Sequence, residues 1–204
     1  MKILIIRHGR TQGNIERRYV GCRTDEPLIG SEREELKAID AEAAKSVLIV
    51  SPMLRARQTA EILLPGIEPT VVEELRETDF GMFEGKTYEE LISGADTQGD
   101  YQAWIDSGGT MKIPGGESME ESQARSLAGF RKAVDLAFAE DAESLIIIAH
   151  GGTVMSVMSS LFGENYYDYY TANGEGYKFE VEVDDAGDIT AAGPYHSFCG
   201  RVRA

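Results

Sequence analysis

Ile3-Leu4-Ile5-Ile6-Arg7-His8-Gly9-Arg10-Thr11-Gln12-Gly13-Asn14 is the stretch around which the chain is organised. Its apolar start has the length and β-branched content of a buried strand, so Arg7 and His8 should emerge at the carboxyl end of that strand. Open α/β sheets build their ligand crevices at such ends.

Three further apolar runs repeat the pattern downstream. Val47 to Val50 predicts a second buried strand, closing on Ser51-Pro52. Thr70 to Leu75 predicts a third, leading into Arg76-Glu77-Thr78-Asp79-Phe80-Gly81. Leu145 to Ala149 predicts a fourth, ending in His150-Gly151-Gly152-Thr153. Helical signals alternate with them. Ser31 and Glu34 have capping-box spacing, with Leu36, Ile39 and Ala43 recurring behind them, and predict a helix from Ser31 to Lys45. Ser51 as N-cap and Pro52 at the first helical position predict one running to Leu64. Ser118 opens a long helix with Leu127, Phe130, Val134, Ala137 and Phe138 on one face, and an apolar helix follows His150 to Phe162. Tyr177 to Val183 alternates as a strand, and Ile189 to Ala191 pairs with it across the Asp184–Gly187 turn.

Between Glu84 and Gly116 the pattern changes to short polar helices divided by glycines, around Thr87 to Ile92 and Tyr101 to Ile105. This reads as a small lid inserted in a single domain spanning residues 1–204. The fold expected is α/β: a three-layer α/β/α sandwich with a mostly parallel central sheet and a small helical lid insertion at about residues 84–116.

Composition limits the partners. A formal charge of -15 over 204 residues argues against nucleic acid and anionic membranes, which are bound through clustered Lys and Arg. An anionic ligand must then be held by a local group of cations. Cys22 and Cys199 lack metal-ligand spacing and read as free or buried thiols of a reducing compartment. The apolar run after Lys2 is too short for a signal-peptide core, so the expected location is cytoplasmic, as a monomer or homodimer.

A parallel sheet places all strand carboxyl ends along one edge. The first end carries Arg7 and His8, the second has Arg55 a turn beyond Ser51, and the last has His150. A positive charge in the first turn of a helix opposes the macrodipole, and an anion bound beside Arg55 offsets that cost. His150 with its two glycines leads into a helix N-terminus that offers N–H groups to the same anion. The convergence predicts a pocket for one phosphoryl group. Arginine forks grip phosphate oxygens in pairs, and a neutral histidine nitrogen can attack phosphorus. Gly9 leaves room for substrate beside His8. The leaving oxygen needs a proton from a carboxylic acid, for which Glu77 is the best placed candidate and Glu84 the second.

Arg7-His8-Gly9-x-Thr11-x-x-Asn14 resembles the defining motif of the histidine phosphatase superfamily, the phosphoglycerate mutase-like family. The likeness continues through Ser51-Pro52-Met53-Leu54-Arg55-Ala56, then Leu75-Arg76-Glu77 with Phe80-Gly81 and Glu84-Gly85, then Pro114-Gly115-Gly116-Glu117-Ser118, and Ala149-His150-Gly151-Gly152. The resemblance implies that His8 is the phosphorylated nucleophile and Glu77 the proton donor, with Arg7, Arg55 and His150 binding phosphate. Asn14, Thr11, Gly9, Arg10, Arg23 and Gly151 are the expected substrate contacts, the substrate being a small phosphorylated metabolite. No metal and no cofactor is implied. Gly21-x-x-Thr24-Asp25-x-Pro27-Leu28 looks like the α-ribazole phosphatase branch, and the short insertion also looks like the phosphatases. A mutase that returns the phosphoryl group to substrate, and a phosphate-ligand sensor without turnover, are the alternatives.

Three positions depart from the family pattern. Arg10 stands where Glu or Gln is usual, Phe83 where Trp is frequent, and Glu32 in the place of a glycine. Arg17, Arg18 and Arg23 can contact substrate or offset an acidic surface. Trp104 and Tyr101 suit packing of the lid, and the Tyr166 to Tyr170 cluster suits a core or subunit contact.

Overall fold

The computed structural model describes residues 1–40, 45–163 and 165–202. The four apolar runs form the parallel part of one sheet: β1 (Lys2–Arg7), β2 (Ser46–Val50), β3 (Thr70–Val71) and β4 (Ser144–Ala149), ordered β3-β2-β4-β1. Register pairs Arg7 with Ala149 and Val50 with Ile148, so His8, Ser51 and His150 leave the sheet along one edge. Antiparallel strands extend it: β5 (Glu175–Val183) pairs with β1, while β6 (Ile189–Ala191) and β7 (His196–Cys199) pair with β5.

The helices in chain order are α1 (Gln12–Ile15), α2 (Glu32–Glu35), α3 (Leu54–Leu63), α4 (Tyr88–Ser93), α5 (Gln98–Asp106), α6 (Met119–Ala139) and α7 (Gly151–Phe162). Strand alternation sends Ile3, Ile5, Ile49 and Ile147 to one face, where α6 and α7 cover them through Phe130, Val134, Val154 and Met158. Ile6, Leu48, Val50 and Ile148 meet Ala56, Ala60 and Leu63 of α3 on the other face. This is the three-layer sandwich expected. Each large apolar side chain buried there contributes about 1.5–3 kcal/mol. The Ser118 hydroxyl accepts the Glu121 N–H at 3.1 Å while the Glu121 carboxylate accepts the Ser118 N–H at 2.9 Å, which starts α6 in a full capping box. Phe138, expected on the buried face, is 48% exposed: one residue beyond Ala137, it has turned away from the sheet.

Among the described residues the helix expected from Ser31 to Lys45 is confined to the single turn of α2, and Ser31 makes no side-chain cap. Leu36 is extended because its backbone is recruited by the C-terminal tail: it bridges Arg201, and the Lys37 N–H donates to the Gly200 carbonyl at 2.8 Å. Ala43 falls outside the described residues. The helix expected from Ser51 begins at Leu54 instead, since Ser51 is engaged elsewhere. The third strand is only two residues long and passes into a 3₁₀ turn at Glu73–Leu75. No helix among the described residues is long and apolar enough to cross a membrane.

The lid has a small core of its own. Phe83, Leu91, Tyr101 and Ile113 pack with Tyr19 and Trp104 around α4 and α5. Tyr19 comes from the loop after α1. Arg18 donates to the Gly85 carbonyl at 2.7 Å and to Glu90 at 2.8 Å, which ties that loop to the lid.

Candidate active site

His8 is delivered by the end of β1, where its N–H donates to the Ala149 carbonyl at 2.9 Å. Its ring is buried, and Nδ1 lies 2.6 Å from the Gly9 carbonyl oxygen. A carbonyl can only accept, so Nδ1 carries the proton and Nε2 keeps its lone pair. Burial, then the charges of Arg55 and Arg7, push the His8 pKa well below its ordinary value and keep the ring neutral. Helix α3 steadies the loop: the Gly9 N–H donates to Thr59 Oγ1 at 2.9 Å, and that hydroxyl donates to the Arg55 carbonyl at 2.7 Å.

Arg55 is wholly buried in the first turn of α3. It donates to the carbonyls of Thr24 and Gly21 at 2.8 and 3.1 Å, and its Nε has no partner among the described residues. Burial lowers its pKa, so its charge is held at a cost that an anion relieves. Arg7 donates through Nη1 to the Thr171 carbonyl at 2.8 Å, and its Nε is also buried without a partner among the described residues. That Nε lies over the start of α7, 3.5 Å from where a Gly151 side chain would begin.

His150 stands 5.1 Å from His8, centroid to centroid, in an edge-on arrangement. Its Nε2 lies 2.7 Å from Ser51 Oγ, which already accepts the Met53 N–H at 3.3 Å. Ser51 is fully buried and Nε2 is the one acceptor within reach of its hydroxyl proton among the described residues, so that proton points to Nε2 and the His150 proton sits on Nδ1. Burial, then Arg55 and His8, push this pKa well down too, so His150 is a neutral donor. Its Nδ1 is buried without a partner among the described residues. Arg7 Nε, Arg55 Nε and His150 Nδ1 are thus three buried N–H groups, from three strand ends, that no protein acceptor satisfies among the described residues.

Glu77 follows the turn after β3. Its Oε1 accepts the Thr78 N–H at 2.9 Å and lies 2.9 Å from where a side chain on Gly152 would begin, a closeness only glycine allows. Arg125 of α6 holds the segment from behind, donating to the carbonyls of Glu74 and Arg76 at 3.0 and 2.7 Å and pairing with Glu117 at 2.7 Å. Although burial pushes the Glu117 carboxyl up, its hydrogen bonds with Arg125 keep it below the usual range. Glu84, the second candidate acid, accepts the Gly21 N–H at 2.9 Å and so fastens the loop that holds Arg55.

Arg7, His8, Arg55, Glu77, His150 and Gly151 thus converge. The other expected contacts fare differently. Thr11 caps α1, accepting the Asn14 N–H at 3.3 Å, and Asn14 Oδ1 accepts from Thr11 and Asn173 at 3.1 Å each. The space at Gly9 is filled by Glu32, whose Oε2 lies 2.5 Å from where a Cβ would be. Arg10 turns to Glu32 and Glu35, and Arg23 to Asp79 and the Gly115 carbonyl. Both arginines expected at substrate are spent on protein carboxylates.

Sequence reasoning missed the aromatic wall. A cavity of about 350 Å³ opens beside Arg7, Glu77 and Gly151, walled by Tyr19, Phe80, Trp104, Tyr166, Tyr167 and Tyr170. The density of tyrosines at 166–170 was the available signal. Asn173, which donates to the His8 carbonyl at 3.0 Å, gave none. A larger cavity of about 950 Å³ lies at the opposite end of the sheet, where β1, β2 and β4 begin, away from these groups.

An α/β sandwich whose strand ends gather two neutral buried histidines, two arginines and a carboxylate belongs to the phosphoryl-transfer class of proteins. Residues 3–182 match the sequence profile of the histidine phosphatase superfamily, branch 1, and the chain belongs to that family. Its enzymes here are phosphatases or mutases. The chain is 28% identical over 169 residues to the probable phosphoglycerate mutase GpmB of Salmonella paratyphi B, covering 80% of this chain and 75% of that one. It superposes on the α-ribazole phosphatase of Shigella flexneri with a TM-score of 0.71, 21% identity and 94% of each chain covered. On Bacillus stearothermophilus YhfR the TM-score is 0.70 at 26% identity, covering 94% of this chain and 95% of that one.

Proposed function

We propose that the protein is a phosphomonoesterase that hydrolyses a small phosphorylated metabolite through a phosphohistidine. His8 Nε2 attacks phosphorus as the ester P–O bond breaks, and Glu77 gives its proton to the departing oxygen. Water then attacks the phosphohistidine, passes a proton to Glu77 and releases inorganic phosphate and free His8. Arg7, Arg55 and His150 meet the charge on the transferring group. The observation that carries this reading is the trio of unsatisfied buried N–H groups around a histidine whose Nε2 is free to attack.

The reaction uses no metal or cofactor, so EDTA should leave turnover of p-nitrophenyl phosphate unchanged while His8→Ala abolishes it. Rapid mixing of wild type with substrate should trap an acid-labile phosphohistidine. Activity persisting in His8→Ala would overturn the mechanism, and absence of the adduct would favour a sensor. α-Ribazole 5'-phosphate is the metabolite we put forward, supported by the Gly21 to Leu28 segment and by the likeness to the Shigella flexneri phosphatase. A screen of phosphorylated metabolites ranked by kcat/KM tests it.

A mutase is the second reading, favoured by the likeness to GpmB. Formation of 2-phosphoglycerate from 3-phosphoglycerate, without release of phosphate, would establish it.

A further inference from the structure

The cavity beside the phosphate cradle has an uneven chemistry. Tyr19 and Trp104 reach it from the lid side, and Tyr166, Tyr167 and Tyr170 from the turn after α7. Trp104 is braced from behind by Tyr101, stacked at 5.9 Å between centroids, and by Phe83 at 5.9 Å. Tyr167 and Tyr170 are 55% and 64% exposed, large aromatic surfaces left to water at the mouth of a buried site. Gly109, at φ +81°, brings the lid close: a side chain there would begin 2.9 Å from the Tyr167 hydroxyl and 3.4 Å from the Trp104 ring.

Polar groups in the same wall are already satisfied. Thr78 and Ser122 share a hydrogen bond of 2.7 Å, and Glu117 is paired with Arg125 and Arg76. Arg7 is the only cation among the described residues lining the cavity, and it faces the phosphoryl group. Arg23 and Lys112, which do not line it, are committed to Asp79 and Glu121. A substrate bringing a second anionic group would find no free cation for it and two carboxylates, Glu77 and Glu117, close by.

We infer that this cavity is the subsite for the organic part of the substrate and that it selects a flat, uncharged aromatic group, with Trp104 and Tyr167 as specificity-determining residues. The inference rests on the phosphomonoesterase reading and names the substrate class for it. Aromatic faces favour an aromatic ring over a saturated ring of equal size through quadrupole contacts as well as burial. An anionic three-carbon acid gains neither.

The test compares kcat/KM for benzyl phosphate, cyclohexylmethyl phosphate and 3-phosphoglycerate, two alkyl esters of similar reactivity and one anionic competitor. Benzyl phosphate should lead cyclohexylmethyl phosphate by about tenfold. 3-Phosphoglycerate should be the poorest. Trp104→Leu and Tyr167→Ala should each bring the benzyl-to-cyclohexylmethyl ratio towards one, the second variant lying outside the lid core and so sparing its fold. A binding measurement separates this inference from the catalytic reading. Trp104 is the sole tryptophan, so its fluorescence reports the subsite directly. Benzylphosphonate, which cannot be hydrolysed, should change that fluorescence saturably and at lower concentration than cyclohexylmethylphosphonate. A ratio near one in the wild type, a ratio untouched by both variants, or equal binding of the two phosphonates overturns the aromatic subsite. Turnover surviving His8→Ala would overturn the mechanism instead, and the phosphonate titration would still decide the subsite.

Discussion

Arg10 and Glu32, two of the positions at which the chain departs from its family's pattern, are bonded to one another. Arg10 Nε lies 2.8 Å from the carboxylate of a wholly buried Glu32, and the Arg10 backbone N–H donates to the same carboxylate at 2.9 Å. A buried carboxylate requires partners, and Arg10, which also pairs with Glu35, supplies one of them. Arg201 completes the group, pairing with Glu32 at 2.9 Å and donating to the Asn173 carbonyl at 2.7 Å. Asn173 in turn donates to the His8 carbonyl, so the C-terminal tail is wired to the His8 loop.

Removing Glu32 should therefore cost stability. A broken buried pair costs about 3–5 kcal/mol, and solvent contact of both arginines reduces this to about 2–3 kcal/mol for Glu32→Ala. Urea unfolding followed by circular dichroism checks it through the midpoint. An unmoved midpoint would mean that the network holds nothing together.

Ser51 fixes the tautomer of His150 through its 2.7 Å contact with Nε2. In Ser51→Ala the ring is free to carry its proton on the other nitrogen, leaving Nδ1 without one to donate. We expect kcat to fall about tenfold, the worth of one hydrogen bond lost in the transition state. Steady-state kinetics beside an unchanged thermal midpoint would establish the effect, and a wild-type kcat would show that the contact is idle.

The site was legible in the sequence wherever one strand end carried its own chemistry. His8 and His150 stand at the ends of apolar runs and Arg55 a turn beyond another, so local pattern and parallel pairing together place them. What could not be read was set by partners far along the chain. The expected Ser31 helix is lost because Leu36 pairs with Arg201, a contact between residues with no shared periodicity. Arg10 looked like a substrate contact because its partner Glu32 lies on a different element. Of the tyrosines at 166–170, read as a core or subunit contact, Tyr169 is core, while Tyr166, Tyr167 and Tyr170 face the cavity; composition does not tell which ring faces a cavity, and only the placement of the lid beside them makes a wall.

Acid should destabilise the protein earlier than its carboxylates alone predict. His8 and His150 are held neutral with pKa values well below the ordinary histidine value. The unfolded chain, with histidines near 6.5, binds protons that the folded chain refuses, so stability falls as pH drops below about 6.5. Each histidine contributes up to about 1.4 kcal/mol per pH unit until its folded pKa is reached. Unfolding free energies at several pH values between about 5 and 7 should show this slope, and the His8→Ala, His150→Ala double variant should be flatter. Equal slopes would indicate that both rings are charged when folded.

Glu77 is given two duties, acid in the first half-reaction and base in the second, and the two can be separated by the choice of ester. With p-nitrophenyl phosphate the leaving phenolate needs little help, so Glu77→Gln should still transfer the phosphoryl group to His8. Hydrolysis of the adduct does need a base and should slow by about 10²–10⁴-fold. The variant should then release p-nitrophenol in a burst close to one equivalent per active site and accumulate phosphohistidine, visible as an acid-labile phosphorus signal. An alkyl phosphate, whose alkoxide leaves poorly without a proton, should give neither burst nor adduct. If the variant instead turned over both esters at wild-type rates, the acid would have to be sought elsewhere. Glu84 would then be the next residue to replace: its Oε1 accepts the Gly21 N–H, and its buried Oε2 has no partner among the described residues.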